Sequence, residues 1–439
     1  MRIATLFSVI IFLASPWLAA QAPGTRSMND IAEQYVRLVL AVGQHDPDYV
    51  DAFYGPPALK EAAAKEKPSL ESIGATARAL LARIPPAAPA ASSGDADAEL
   101  IQLRQEYLRR QLESLESRVR MLQGTMLTFD QESRALYDAV APEHPATFFD
   151  AALRELEPLL PGDGALVERY DRFRKDFVIP TDRLSRVFER AVEECRGRTL
   201  AHIAVPAGES FRVEYVTGKS WSGYNWYQGN YHSLIQVNTD LPIYIDRAVD
   251  LACHEGYPGH HVYNVLLEKH LVRDRGWTEF TVYPLFSPQS LIAEGTANYG
   301  IEVAFPGPER AAFERDVLFP LAGLDPSRVE VYYRVQDLVG RLAYAGNDAA
   351  RRYLNGAIDR AQAVDWLTRH ALMSRPRAEQ RTRFMDQYRS YVINYNLGKD
   401  LVQAYVESQS AGSRERRWEA FARLISSPRL PSGLQAPRP

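Results

Sequence analysis

Cys253-His254-Glu255-Gly256-Tyr257-Pro258-Gly259-His260-His261 is the stretch on which the reading of this 439-residue chain turns. A His-Glu pair followed by a further His is the core of a zincin-type site. Such a site uses imidazole ligands for a cation and a carboxylate as general base. The usual spacing puts the second His four residues after the first, on the same helix face. Here that position is Pro258, and the next imidazoles come six and seven residues on. In a straight helix a residue six on lies about 120° round, and one seven on lies about 10.5 Å further along the axis. A single zinc holds two imidazole nitrogens within roughly 4 Å of each other. A regular helix therefore cannot serve His254 together with either partner. Pro258, which lacks an amide donor, and Gly259, which tolerates unusual dihedrals, predict a bulge or kink that swings His260 back beside His254. His260 is the first choice of ligand and His261 the alternative; the other turns to a supporting partner or to substrate.

The flanking sequence supports this. Pro242 opens a helix whose apolar face is Ile245, Ala248, Val249 and Ala252, and another helix follows over 262–270. About forty residues on, Ser287-Pro288 is a helix start, with Ser as N-cap and Pro at the first position. That helix carries Ala293-Glu294-Gly295-Thr296-Ala297-Asn298-Tyr299. Glu294 and Asn298 share a face at i, i+4, so Asn298 is placed to steady a ligand. Pro306-Gly307-Pro308 ends the helix.

The pattern resembles a mostly bacterial group of metallopeptidase-like proteins catalogued as domain of unknown function 885, which carries H-E-x-x-P-G-H-H and, later, E-G-x-A-x-Y. The matching residues are His254, Glu255, Pro258, Gly259, His260 and His261, then Glu294, Gly295, Ala297 and Tyr299. The likeness extends over about residues 28–410 and takes in Asn238, Asp337, Tyr395 and Gly398. It implies a mainly helical, zinc-dependent peptidase-like domain with Glu294 as third ligand, and it makes Tyr395 a candidate donor to the oxyanion. The chain departs from the family at Thr296, Asn298 and Ile301, and near Asp337 it has Gly340 and Arg341. These departures bear on substrate preference more than on the metal.

The expected fold is mainly α: a multi-helix, zincin-like domain with a small β-sheet beside the cleft. Residues 1–22 read as a signal peptide, with Met1-Arg2, an apolar run to Leu18 and small residues at 19–22. An N-terminal helical region (23–204) and a metal-binding region (205–410) of the same large domain follow, then a polar segment (411–439) ending in a disordered tail. Ile31, Tyr35, Leu38 and Val42 recur at helical spacing, residues 85–97 form a Pro- and Ala-rich connection, and Leu100 to Leu122 carry a long amphipathic stripe. Residues 211–216 and 233–238 alternate as strands, with the aromatic loop Tyr224-Asn225-Trp226-Tyr227 between them as a cleft wall. An edge strand there is suited to an extended peptide. Arg334, Asp337 and Arg341 read either as an ion-paired surface or as a grip on a peptide carboxylate.

A net charge of −4 offers no basic footprint for nucleic acid. The short apolar leader gives no stable membrane insertion once cleaved, which points to a periplasmic or secreted protein. Cys195 and Cys253 are the two cysteines; sequence leaves open whether they pair. The expected activity is hydrolysis of short peptides with one Zn2+ held by His254, His260 and Glu294, and with Glu255 as base. A metal-dependent amidase on non-peptide or cell-wall-derived amides, or a non-catalytic binding protein on the same scaffold, are the alternatives. Sequence fixes neither which end of a peptide is cut, nor whether manganese or cobalt replaces zinc, nor the oligomeric state.

Overall fold

The computed structural model describes residues 23–86, 96–219 and 221–435, with side chains from residue 27 onward. The signal peptide read over 1–22, and most of the connection read over 85–97, lie outside the described residues. The chain is mainly helical, with one two-stranded and one three-stranded sheet.

Helix α1 (Pro23–Val42) buries Ile31, Tyr35, Leu38, Val39 and Val42, the stripe its sequence shows. Helix α2 (Ala96–Leu122) buries Tyr107, Leu108, Leu112, Leu115 and Val119. Its polar residues are not all solvated. Arg104 is buried and donates from Nε and Nη2 to Glu279 at 2.6 and 3.1 Å, and Gln111 Oε1 accepts from the Tyr35 hydroxyl at 3.1 Å. The helix is thus enclosed on more than one side, and Arg104 and Gln111 Oε1 find partners there while Gln111 Nε2 has none.

Helix α3 (Leu184–Leu200) buries Cys195, which forms a disulfide with Cys253 at a Cα–Cα distance of 5.6 Å. The three-stranded sheet has the order β2-β4-β3, where β2 is Ser210–Val216, β3 Gly223–Gly229 and β4 His232–Asn238. β2 and β4 are the two expected strands, paired parallel. The segment expected as an aromatic loop is instead strand β3, antiparallel to β4 and at the sheet edge. The two-residue link Asn230-Tyr231, both at positive φ, explains this, because paired positive φ values are what a tight hairpin turn needs. A second sheet, absent from the sequence reading, pairs β1 (Val50–Phe53) antiparallel with β5 (Val282–Pro284).

Helices α4 (Ile245–Leu251), α5 (His260–Leu267) and α6 (Pro288–Ala304) carry the two motifs; α7 (Arg375–Tyr388) and α8 (Ile393–Ser410) close over them. α6 is buried along almost its whole length. It crosses α8 with backbones in contact: a Cβ built on Gly295 would lie 2.4 Å from the Gly398 carbonyl oxygen. Only glycines allow this approach.

Past residue 410 the structure corrects the expected polar segment and tail. Helix α9 (Arg414–Ile425) buries Trp418, Phe421, Leu424 and Ile425, and Leu430 and Leu434 are buried after it. Its apolar face is real but diluted by arginines and glutamates. Residues 436–439 lie outside the described residues. One apolar core runs from Met28 to Leu434, across both regions read from the sequence, with a smaller cluster around Phe149 and Val335. Among the described residues no helix is long and apolar enough to cross a membrane.

Candidate metal centre

α4 packs Ile245, Ala248 and Val249 inward and then widens into a π turn over Ala252–Gly256. Such turns arise where the regular ladder is interrupted, and they are frequent at functional sites. The turn holds His254 and Glu255. Tyr257 is extended, the Tyr257–Pro258 peptide is cis, and α5 starts afresh at His260. The Gly259 amide donates to the Cys253 carbonyl at 2.9 Å, and a Cβ on Gly259 would sit 1.9 Å from the His254 carbonyl oxygen. The chain doubles back on itself there, and no side chain fits in the fold.

The result is a close approach of two imidazoles: His260 Nε2 lies 3.1 Å from His254 Nε2. Glu294, on α6, brings Oε2 to 3.3 Å from His254 Nε2 and 3.9 Å from His260 Nε2. Ser287 is the N-cap of α6, but its hydroxyl donates back to the Pro284 carbonyl rather than capping the helix. Glu255 belongs to the same cluster: one of its carboxylate oxygens and one ring nitrogen each of His254 and His260 lie within 4.8 Å of one another. Two carboxylates therefore compete for a third ligand position. The triangle closed by Glu294 is the tighter one, so Glu294 is the better third donor and Glu255 stands beside it.

Asn298, one turn after Glu294, links to both halves of the site. Its Nδ2 donates to the Tyr395 carbonyl at 3.0 Å, which turns Oδ1 toward His254 Nδ1 at 3.1 Å. A carboxamide oxygen only accepts, so Nδ1 carries the proton and Nε2 presents its lone pair to the cluster. Glu294 Oε1 accepts from the Tyr391 hydroxyl at 2.9 Å, while Oε2 is buried without a hydrogen-bond partner. Lone pairs on His254, His260 and an orphaned carboxylate oxygen converge on one point. That donor set fits a divalent cation: four ligands about 2.0–2.1 Å from zinc sit roughly 3.4 Å apart.

The charges of the cluster act on one another. Burial, followed by the His254 charge, pushes the His260 imidazole down to about 4, leaving it neutral and ready to ligate. Burial opposes charge on His254, but the Glu294 and Glu255 carboxylates outweigh it and hold the ring above its ordinary value. Burial also raises Glu294, yet His254, His260 and Tyr391 together hold it below the usual range. Glu255 is pushed up to about 7, by burial first and then by Glu294, with His254 opposing.

The centre lies at the floor of a cleft of about 670 Å3. Gly223 of β3 passes directly over Glu255, where a Cβ would meet Oε1 at 2.9 Å, and Asn225 Nδ2 donates to the Glu255 carbonyl at 2.7 Å. Tyr395 lines the cleft, as do Asp51, Tyr391, Arg377 and Arg381, none of which the sequence reading picked out for the site. Asp51 sits on β1, and burial, then the Glu294 and Glu255 charges, raise its carboxyl to about 8. Tyr391 is buried and reaches Glu294. The one sequence hint was its i, i+4 spacing to Tyr395.

Other expected residues lie elsewhere. His261 is fully buried with Nδ1 2.9 Å from Ser233 Oγ and Nε2 2.9 Å from Glu209 Oε2, so both ring nitrogens are engaged away from the cluster. This corrects His261 as the alternative ligand: its neighbour in sequence points about 100° away on the same helix, and only one of the two faces the cleft. Glu209 also takes the Tyr257 hydroxyl and Arg196, so His261 braces the bend from behind. The Tyr299 hydroxyl donates to Glu407 of α8, away from the cleft. Asp337 and Arg341 are exposed; Arg341 faces Glu155 at 3.3 Å. Both lie outside the cleft lining, which corrects their reading as substrate contacts and leaves surface positions, ion-paired at Arg341.

No family profile matches the chain, and no curated protein matches it. Among solved structures, a candidate lipoprotein from Colwellia psychrerythraea is 14% identical, with 85% of this chain and 70% of that one covered and a TM-score of 0.49. A candidate lipoprotein of unknown function from Shewanella oneidensis is also 14% identical (84% and 76% covered, TM-score 0.41). A carboxypeptidase from Pyrococcus furiosus is 11% identical (92% and 91% covered, TM-score 0.40). Likenesses this distant assign neither fold nor activity to this chain.

Proposed function

We propose that the chain is a metal-dependent hydrolase that cleaves peptide bonds in short peptides, of the kind expected for domain of unknown function 885. The observation that carries the reading is the convergence of His254 Nε2, His260 Nε2 and the orphaned Glu294 Oε2 within 3.9 Å, with Glu255 adjoining. A divalent cation, zinc first among the candidates, would be held by these three residues and would supply Lewis acidity to a carbonyl and acidity to a water. Glu255 takes a proton from the attacking water, whose oxygen bonds to the carbonyl carbon. It then passes that proton to the amide nitrogen as the C–N bond breaks, giving a carboxylate and an amine. Asn298 fixes the His254 tautomer. Tyr395, on the cleft wall, is positioned to donate to the oxyanion. β3 is the sheet edge along the cleft and offers main-chain groups to an extended substrate. The disulfide supports an oxidising compartment outside the cytoplasm.

The test combines metal content with turnover on a peptide library. Wild type and Glu255→Gln should each bind about one cation per chain, His260→Ala should lose it, and His261→Ala should keep it. Glu255→Gln should lose at least roughly 100-fold in kcat. Wild-type turnover in Glu255→Gln, or no cation in the reconstituted wild type, would overturn the proposal.

A further inference from the structure

Among the described residues, two arginines of the cleft have no counter-charge. Arg377 and Arg381 lie one turn apart on α7, and both line the cleft. The other cations there are matched: Arg247 and Arg310 with Asp250 at 2.9 and 2.8 Å, and Lys399 with Glu302. Among the described residues neither Arg377 nor Arg381 pairs with a carboxylate. The Arg381 guanidinium lies 4.7 Å from the Phe384 ring centroid and 5.8 Å from that of Tyr395. Its Nε is shut off from solvent with no hydrogen-bond partner. A guanidinium stays charged at neutral pH even where burial and like charges oppose it, as they do at both positions. A buried donor left unmatched is costly, and it is the opposite of what an ion-paired surface shows.

Position narrows the ligand. Arg381 adjoins Tyr395, whose carbonyl accepts from Asn298, the residue that meets His254, and Arg381, Tyr395 and His254 line the same cleft. Tyr395 is thus the residue that links Arg381 to the metal centre. In a peptide whose last amide bond is being cut, the terminal carboxylate carbon lies only about 3–4 Å from the scissile carbonyl carbon. A guanidinium gripping it lies about 7 Å from that carbon. That is the thickness of one intervening side chain, and the planar fork of arginine matches a carboxylate bidentately.

We infer that Arg381, with Arg377 flanking it, binds the free C-terminal carboxylate of the substrate, which makes the protein a carboxypeptidase. The inference rests on the hydrolase reading above and adds its polarity. The chain's own acids do not fill this position, and it sits beyond the scissile bond, where an endopeptidase would need a neutral path for the continuing chain.

The metal-loaded full chain is tested on N-acylated dipeptides ending in a free acid, on the same dipeptides ending in an amide, and on an amide whose last residue is Glu. The free acid should be cut about 10- to 100-fold faster than its amide, as one charge-assisted bidentate contact predicts. Arg381→Ala should bring the ratio of rates close to one while binding as much cation as wild type, and Arg381→Lys should restore part of the ratio. Equal cleavage of acid and amide, equal loss on both in Arg381→Ala, or a Glu side chain replacing the terminal carboxylate, each overturns the inference. If no peptide is cut, the hydrolase reading fails separately, and calorimetry with N-acetylphenylalanine and its amide decides the carboxylate site. Tighter binding of the acid, lost in Arg381→Ala, sustains it; equal binding overturns it.

Discussion

Replacing both Cys195 and Cys253 by alanine should lower the melting temperature by about 5 °C. The cysteines are 58 residues apart in sequence and both fully buried. Closing a loop of that length removes about 14 cal/mol/K of chain entropy from the unfolded ensemble, or about 4 kcal/mol at 25 °C. A chain of 439 residues unfolds with an entropy of about 0.9 kcal/mol/K, at about 2.1 cal/mol/K per residue. Dividing one by the other gives the shift. The assay is calorimetry on metal-free protein, for the oxidised wild type, the reduced wild type and the double variant. Reduction should bring the wild type down to the variant, because the cross-link and not the sulfur volume carries the effect. A shift under about 1 °C would refute the entropic account. So would a variant that melts early beside a reduced wild type that does not, since that pattern means lost packing. The bond ties α3 to the residue before His254, so the variant should also bind its cation more weakly.

Asn298→Ala should weaken cation binding about 10- to 100-fold, read by competition with a chelator, because His254 loses the partner that fixes its tautomer. Glu279→Ala leaves Arg104 buried and unpaired and should cost about 3–5 kcal/mol, seen as a lowered melting temperature. Glu407 is held at about 2 by Arg417, with Tyr299 and Ser410 assisting. Its folded-state carboxyl is depressed, so its stabilisation is fully present above the ordinary glutamate range and is lost as pH falls toward 2. Glu407→Gln should therefore flatten the acid side of the stability curve, followed by circular dichroism from pH 5 to 2.

What the sequence disclosed about the site came from residues whose chemistry is local. Pro258 and Gly259 announce a break wherever they fall, and the break alone rescues an otherwise impossible His spacing. Ser287-Pro288 marks a helix start, and from there Glu294 and Asn298 fall on one face by counting. The general helical character followed from stripes such as Ile31 to Val42. What stayed hidden was brought in by distant segments. Asp51 sits on a four-residue strand whose partner is more than 200 residues away. Tyr391 shows only the spacing of a core tyrosine, and nothing in α7 marks Arg377 and Arg381 as lining the cleft while Arg334 and Arg341 lie outside it. His260 and His261 are adjacent on one helix, so either reads equally well until the direction of α5 is known. In α9 the burial of Trp418 and Phe421 is masked by an arginine-rich surround.

The contact of Gly295 with Gly398 makes the rear of the site a stiff joint. With backbone against backbone there is no side chain to yield, so Glu294 and Asn298 on one helix and Tyr391 and Tyr395 at the head of the other move together or not at all. Adding one methyl group would demand up to about an ångström of separation, since a Cβ would now sit 2.4 Å from the Gly398 carbonyl oxygen at Gly295 and 2.7 Å from the Leu291 carbonyl oxygen at Gly398. Metal–ligand distances tolerate only about 0.2 Å. Among the described residues the opposite wall, at the sheet edge of β3, has no such backbone-to-backbone contact with α8. The glycine joint thus makes the rear wall of the cleft a fixed leaf, and that leaf carries Glu294.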